Sequence, residues 1–132
     1  MKEAIGILAA RRILIVEEEA LIALAVEEEA RLLGAEETYI AYHKQQALEA
    51  IDGWKPDFAV IDVSLTDTCS DYGIADALAD HGIPFVFSSG HLAGELPDRH
   101  IGRPFVSKPM QSSDFSEAVK MALEKELAAK LQ

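Results

Sequence analysis

Apolar residues along this chain fall into two rhythms. Five short runs, RRILIV, TYIAY, FAVIDV, IPFVFSSG and RPFVSKP, hold β-branched and aromatic residues with little polar alternation, as expected of strands covered on both faces. Between them apolar residues return every three or four positions. Ile22, Ala25, Val26, Ala30 and Leu33 mark a first helix stopped by Gly34. Ala47, Leu48 and Ile51 mark a second in HKQQALEAIDGW, and Pro56 with Asp57 turns the chain into the next strand. Ile74, Ala77 and Leu78 mark a third in YGIADALADHG. Phe115, Ala118, Val119, Ala122 and Leu123 complete an i, i+3, i+4, i+7, i+8 stripe in the last, with Ser112 or Ser113 as its N-cap.

Strands that alternate with helices predict a doubly wound α/β fold, because each parallel step needs a crossover, normally helical and right-handed. Such sheets bind ligands beyond the carboxyl ends of their strands. The residues there are Glu17 and Glu18 after the first strand, Asp62 at the end of the third, Ser89 after the fourth, and Lys108 with Pro109 after the fifth. The segment VEEEA occurs twice, at 16–20 and 26–30. The first copy leaves a buried strand at the ligand edge; the second lies inside a helix, where Glu27 and Glu28 fall off the apolar stripe and belong in solvent.

Carboxylates gathered from neighbouring strands repel one another, and a hard divalent cation relieves that repulsion. Magnesium takes one or two protein carboxylates together with phosphate oxygens. A cation and a lysine can neutralise a phosphoryl group, a hydroxyl can donate to it, and Asp62 can accept it as a nucleophile.

Composition narrows the partners. With 12 basic and 23 acidic side chains in 132 residues the net charge is −11, which repels nucleic-acid phosphates and anionic lipid. Direct nucleic-acid binding is not expected. A single cysteine, Cys69, makes no internal disulfide, and no stretch approaches the length of a membrane span. A cytoplasmic protein is expected. The apolar run Ala4–Ala10 lies at the short limit for a secretory signal and its flank is nearly neutral, so residues 1–11 read as an N-terminal extension and 12–132 as one domain.

The pieces ILIVEEEA, FAVIDVSL, IPFVFSSG and PFVSKPM, in this order, resemble the receiver domain of bacterial two-component response regulators, from about Arg12 to about Leu127. The resemblance implies a flavodoxin-like sheet of strand order 2-1-3-4-5. It implies that Asp62 is the phosphoacceptor, that Glu17 and Glu18 form the acidic pair for Mg2+, and that Ser64 lends its backbone carbonyl to the metal. Ser89 corresponds to the switch hydroxyl, Lys108 to the lysine that contacts the phosphoryl group, and Phe105 to the aromatic switch residue. The implied partners are a histidine kinase or phosphotransfer protein and a downstream protein, with signalling through a changed protein-binding face. Self-catalysed phosphorylation and dephosphorylation of the aspartate would be its only enzymatic activity.

This sequence departs from the family pattern in three places. Glu18 replaces the more usual aspartate and adds a methylene at a metal that demands near-octahedral geometry. The stretch from Ser89 to Lys108 holds Gly90, Gly94, Pro97, Gly102 and Pro104, so the fourth helix of the family is expected to be short or irregular. This partly resembles an alphaproteobacterial subset of single-domain receivers with a Phe-Ala-Thr-Gly-like motif, here FSSG. TDTCSDYG after the third strand reads as a polar loop near the pocket.

Other readings stand beside this one. They are a degenerate receiver that binds partners without phosphorylation, a receiver excised from a larger hybrid kinase, and an enzyme on a similar fold. A dehalogenase-like phosphatase needs a second aspartate where this chain has Ser64, and a flavodoxin needs a phosphate-cradling loop where it has three glutamates. Ser89 alone could cap a helix, and Lys108 alone could be a solvent lysine before a turn. His43, His81 and His100 are too scattered for a metal cluster and read as loop or helix-end residues, while His91, two past Ser89, reads as an ordinary loop histidine, with tuning of dephosphorylation as its alternative. Trp54 and Tyr72 read as packing residues.

Overall fold

A computed structural model describes residues 6–63, 72–89, 97–100, 102–108 and 110–131. The strands are β1 (Arg12–Val16), β2 (Glu37–Ala41), β3 (Phe58–Asp62), β4 (Phe85–Ser89) and β5 (Phe105–Ser107). The helices are α1 (Ala20–Leu32), α2 (Lys44–Glu49), α3 (Gly73–Asp80) and α4 (Ser112–Lys130). All strand pairs are parallel and the sheet order is β2-β1-β3-β4-β5. This is the flavodoxin-like doubly wound order.

The apolar strand runs acquire their meaning from the pleat, which sends successive side chains to opposite faces. Ile13 and Ile15 of β1, Phe58 and Val60 of β3, Val86 and Val106 pack with α1 and α4 through Ala23, Val26, Phe115 and Val119. Leu14, Val16, Ala59, Ile61, Phe85 and Phe87 face the other way, onto Ala47 and Ile51 and onto Ile74 and Leu78 of α3. The sheet order makes β1, β3 and β4 the interior strands, and every residue of β3 and β4 is buried.

Several expected details differ. In α1 Ala23 is buried and Ala25 exposed, so the inward stripe is Ala23, Val26, Ala30 and Leu33. The second helix changes pitch: Ala50–Trp54 is π-helical, closed by the Lys55 N–H donating to Ala50 O at 2.9 Å, with Lys55 left-handed at φ 58°. His43 caps α2, its ring accepting from the Gln46 N–H. Neither serine is the N-cap of α4. That position is Gln111, with no side-chain bond, while Ser112 is the first helical residue and its hydroxyl donates to Glu29 of α1 at 2.8 Å. The hydroxyl serves a helix–helix tie instead of a cap.

The segment before Arg12 sends Leu8, fully buried, into the α1–α4 layer, where its N–H donates to Leu33 O at 2.9 Å. Between β4 and β5 the regular structure among the described residues is one 3-10 turn, Asp98–His100. Most of TDTCSDYG, with Cys69, and His91 lie outside the described residues. Tyr39 and Trp54 pack with ring centroids 5.4 Å apart and planes tilted by 44°, with the Arg12 guanidinium 4.3 Å over the indole.

Gly82 closes α3 at φ +70°, a conformation that an L side chain adopts only with strain, although nothing lies within 4 Å of an added Cβ. Gly82→Ala is therefore expected to lower unfolding free energy by about 1 kcal/mol. Gly53→Ala, in equally open space but at an ordinary φ, is expected to be neutral or stabilising. Urea unfolding of both variants measures the contrast.

Candidate functional site

The carboxyl ends of the interior strands and of β5 converge on one spot. As β1 ends, the Glu17 N–H donates to Ala41 O at 3.0 Å, continuing the ladder for one residue and burying the Glu17 side chain. Asp62 terminates β3 and is buried; in the ladder it registers with Ser88, and Ser89 is the last residue of β4, also buried. The Lys108 N–H donates to Ser89 O at 2.8 Å, which carries the β4–β5 pairing to the edge of the sheet and fixes where the lysine leaves it.

There the Lys108 ammonium spans two acids. Its Nζ lies 2.9 Å from Glu17 Oε1 and 3.2 Å from Asp62 Oδ2, with the lysine side chain 19% exposed and both acids 3%. Burial pushes the Glu17 carboxyl above its ordinary value, and the neighbouring Asp62 charge adds to this; Lys108 and the Glu19 N–H, which donates to Oε2 at 3.2 Å, oppose it. Burial alone would depress Lys108, but Glu17 and Asp62 outweigh it and hold the ammonium above its ordinary value. Glu17 Oε1 is thus at ion-pair distance from a cation, yet among the described residues no directed hydrogen bond reaches this buried atom. A buried oxygen of this kind, beside a second carboxylate, suits a hard cation.

The other predicted site residues are placed as follows. Glu18 is exposed, and no group of three or more His, Cys, Asp or Glu side chains among the described residues is arranged to hold a metal. Ser64 lies outside the described residues. Phe105 opens β5, half-buried, and registers with Phe87 of β4, two residues before Ser89. Sequence reasoning passed over Ser88, which with Lys108 lines a groove of about 500 Å³ whose remaining walls include Leu21, Ile22, Val26 and Met110. Its signal was partial: the serine is a polar residue in an otherwise apolar strand run, but the register that sets it beside Asp62 is visible only in the sheet.

No protein-family model matches the chain. No curated protein matches it either. Solved structures do. The response regulator PhyR from Brucella abortus superposes with a TM-score of 0.79 at 30% identity, over 98% of this chain and 54% of that one. The Erythrobacter litoralis PhyR response regulator REC domain gives 0.71 at 29% identity, over 89% and 93%. The N-terminal domain of a response regulator/sensory box/GGDEF 3-domain protein from Carboxydothermus hydrogenoformans gives 0.75 at 25%, over 92% and 99%.

This chain is a response regulator receiver domain. The receiver spans about half the length of the Brucella protein and nearly all of the other two domains. Its broad role is therefore in two-component signalling. No helix among the described residues of the receiver is long and apolar enough to cross a membrane.

Proposed function

We propose that this receiver accepts a phosphoryl group on Asp62 from the phosphohistidine of a histidine kinase or phosphotransfer protein. The observation that carries the reading is the Lys108 ammonium set between Glu17 Oε1 and Asp62 Oδ2 at the carboxyl edge of the sheet. In the transfer an Asp62 carboxylate oxygen forms the new P–O bond as the P–N bond breaks, and the released imidazole keeps the electron pair and takes a proton from solvent. Lys108 neutralises charge on the phosphoryl oxygens, where a preorganised cation is most effective. The buried Ser89 hydroxyl lies at the end of the adjacent strand and is the donor assigned to the same oxygens. A bound Mg2+ would be held by the Glu17 and Asp62 carboxylates, with Glu18 and the Ser64 carbonyl as further ligands, and supplies positive charge at the phosphoryl group.

Phosphorylation then alters a face that a downstream protein reads, with Phe105 as the reporter beside β4. The net charge of −11 weighs against nucleic acid as that partner. The exposure of Glu18 favours one second reading, an adaptor that binds its partner without phosphorylation.

Intact-mass spectrometry after incubation with acetyl phosphate separates them. A Mg2+-dependent gain of about 80 Da, one phosphoryl group on a carboxylate nucleophile, is expected in wild type and absent in Asp62→Asn. Wild type that stays unmodified with acetyl phosphate, and also with a phosphorylated kinase, would establish the adaptor.

A further inference from the structure

Away from the site, the 3-10 turn Asp98–His100 is fastened to α3 by a buried histidine. His100 is 2% exposed. Its ring sits among Tyr72, Phe85 and Phe87, with centroids 6.3, 6.2 and 6.1 Å away. Nε2 lies 2.8 Å from Asp76 Oδ1 of α3, and Nδ1 lies 3.0 Å from Arg103 Nε. Arg99 completes the fastening with two bonds to the same carboxylate, Nε to Oδ1 at 2.7 Å and Nη2 to Oδ2 at 2.9 Å.

The bonding partners fix the tautomer. Arginine cannot accept a hydrogen bond, so Nδ1 must be the acceptor, and the ring proton must sit on Nε2 and point at Asp76. A second proton would have to go onto Nδ1. It would then meet the Arg103 N–H donor to donor, on a ring that is 2% exposed. Of the charged groups around the ring, Asp76 on α3 favours the imidazolium, while Arg99 on the turn and Arg103 beyond it oppose it; Asp80 of α3 sits at the rim of the same cleft. From β4 the ring meets only Phe85 and Phe87, tilted at 71° and 79°, too edge-on and distant for much cation–π attraction. Burial comes first among the causes that hold His100 below its ordinary value, ahead of the opposing bond from Asp76.

We propose that His100, Asp76 and Arg103 form an acid-released latch, which pins the β4–β5 connection to α3 while the imidazole is neutral and frees it when the ring takes a second proton. The latch lies in the chain between Ser89 and Lys108, so its release slackens the connection between two strands that end at the site. The sign follows from linkage. The folded ring resists a proton that the unfolded chain accepts, so the latch contributes its full stability above the ordinary histidine value of about 6.5 and loses it as the pH falls below.

Amide exchange of the full chain tests this at two reporters, the His100 N–H bonded to Pro97 O at 2.9 Å and the Arg103 N–H bonded to His100 O at 3.3 Å. After correction for intrinsic rates, both should lose about tenfold protection from about pH 7.5 to about pH 5, where histidines titrate. Imidazole 15N spectra should show the Nε2–H form at the upper end. His100→Gln offers an amide donor and an acceptor without a titration, and its two amides should stay protected across the range. Asp76→Asn, which removes the anion that favours the imidazolium, should move the His100 midpoint to lower pH. An Nδ1–H tautomer, unchanged wild-type protection at the acid end, or equal acid loss in His100→Gln would each overturn the latch.

Discussion

Lys108→Ala is expected to slow labelling of Asp62 by acetyl phosphate by about 10²- to 10³-fold, the usual effect of deleting one preorganised charge partner. Structurally it removes the cation that lies 2.9 Å from Glu17 and 3.2 Å from Asp62. Two buried acids are then left facing each other. Glu17, already pushed toward its neutral form by burial, takes up a proton and limits the damage, so the loss of stability without divalent cation should be about 1–3 kcal/mol. Millimolar Mg2+ should recover part of that loss, because a cation at the carboxylates does the same electrostatic work as the ammonium. Rates from intact-mass time courses, with urea unfolding in EDTA and in Mg2+, give both quantities. Wild-type labelling in the variant would remove Lys108 from the proposed chemistry.

The largest effect on stability should come from Phe87→Ala. Phe87 is fully buried at the centre of β4 and sits edge-on to Phe85 at 5.5 Å, to Tyr72 at 6.5 Å and to His100 at 6.1 Å. Truncation leaves a cavity between the sheet and α3, and losses for such sites run to about 3–5 kcal/mol. Against a typical total of about 5–15 kcal/mol that is enough to leave a measurable unfolded fraction. Phe87→Leu, which keeps most of the volume, should cost about half as much or less. Chemical denaturation with an unchanged m-value would confirm the comparison. An equal loss in both variants would mean that ring contacts, not filled volume, set the cost.

What could be read from the sequence follows from how each feature is encoded. The five strands were legible because burial on both faces writes a continuous apolar run, and the ligand edge followed because parallel strands end on one side. The placement of Asp62 and Lys108 needed only that edge. Three adjacent glutamates, by contrast, do not say which one turns inward; the extra ladder bond from Glu17 to Ala41 decides it, and that bond depends on the neighbouring strand. The helix stripe in HKQQALEAIDGW gave no sign of a pitch change, since α and π turns bury almost the same positions. Ser112 matched a capping pattern, but a tertiary partner, Glu29, claimed its hydroxyl. His100 was least legible of all. It stands in a short polar stretch with no periodicity, and its partner Asp76 lies 24 positions earlier in the chain, on a helix read only for its apolar stripe.

Ile13 and Ile15 enter one apolar layer while Leu14 and Val16 enter the other, and the same division runs through β3. Inserting or deleting a single residue within these strands would exchange the two layers wholesale for everything downstream in the strand. Changes of chain length are therefore tolerated in the connections, among them those between β3 and α3 and between β4 and β5. These two connections border Asp62, Ser89 and Lys108, so the receiver can change length beside its site without disturbing either apolar layer.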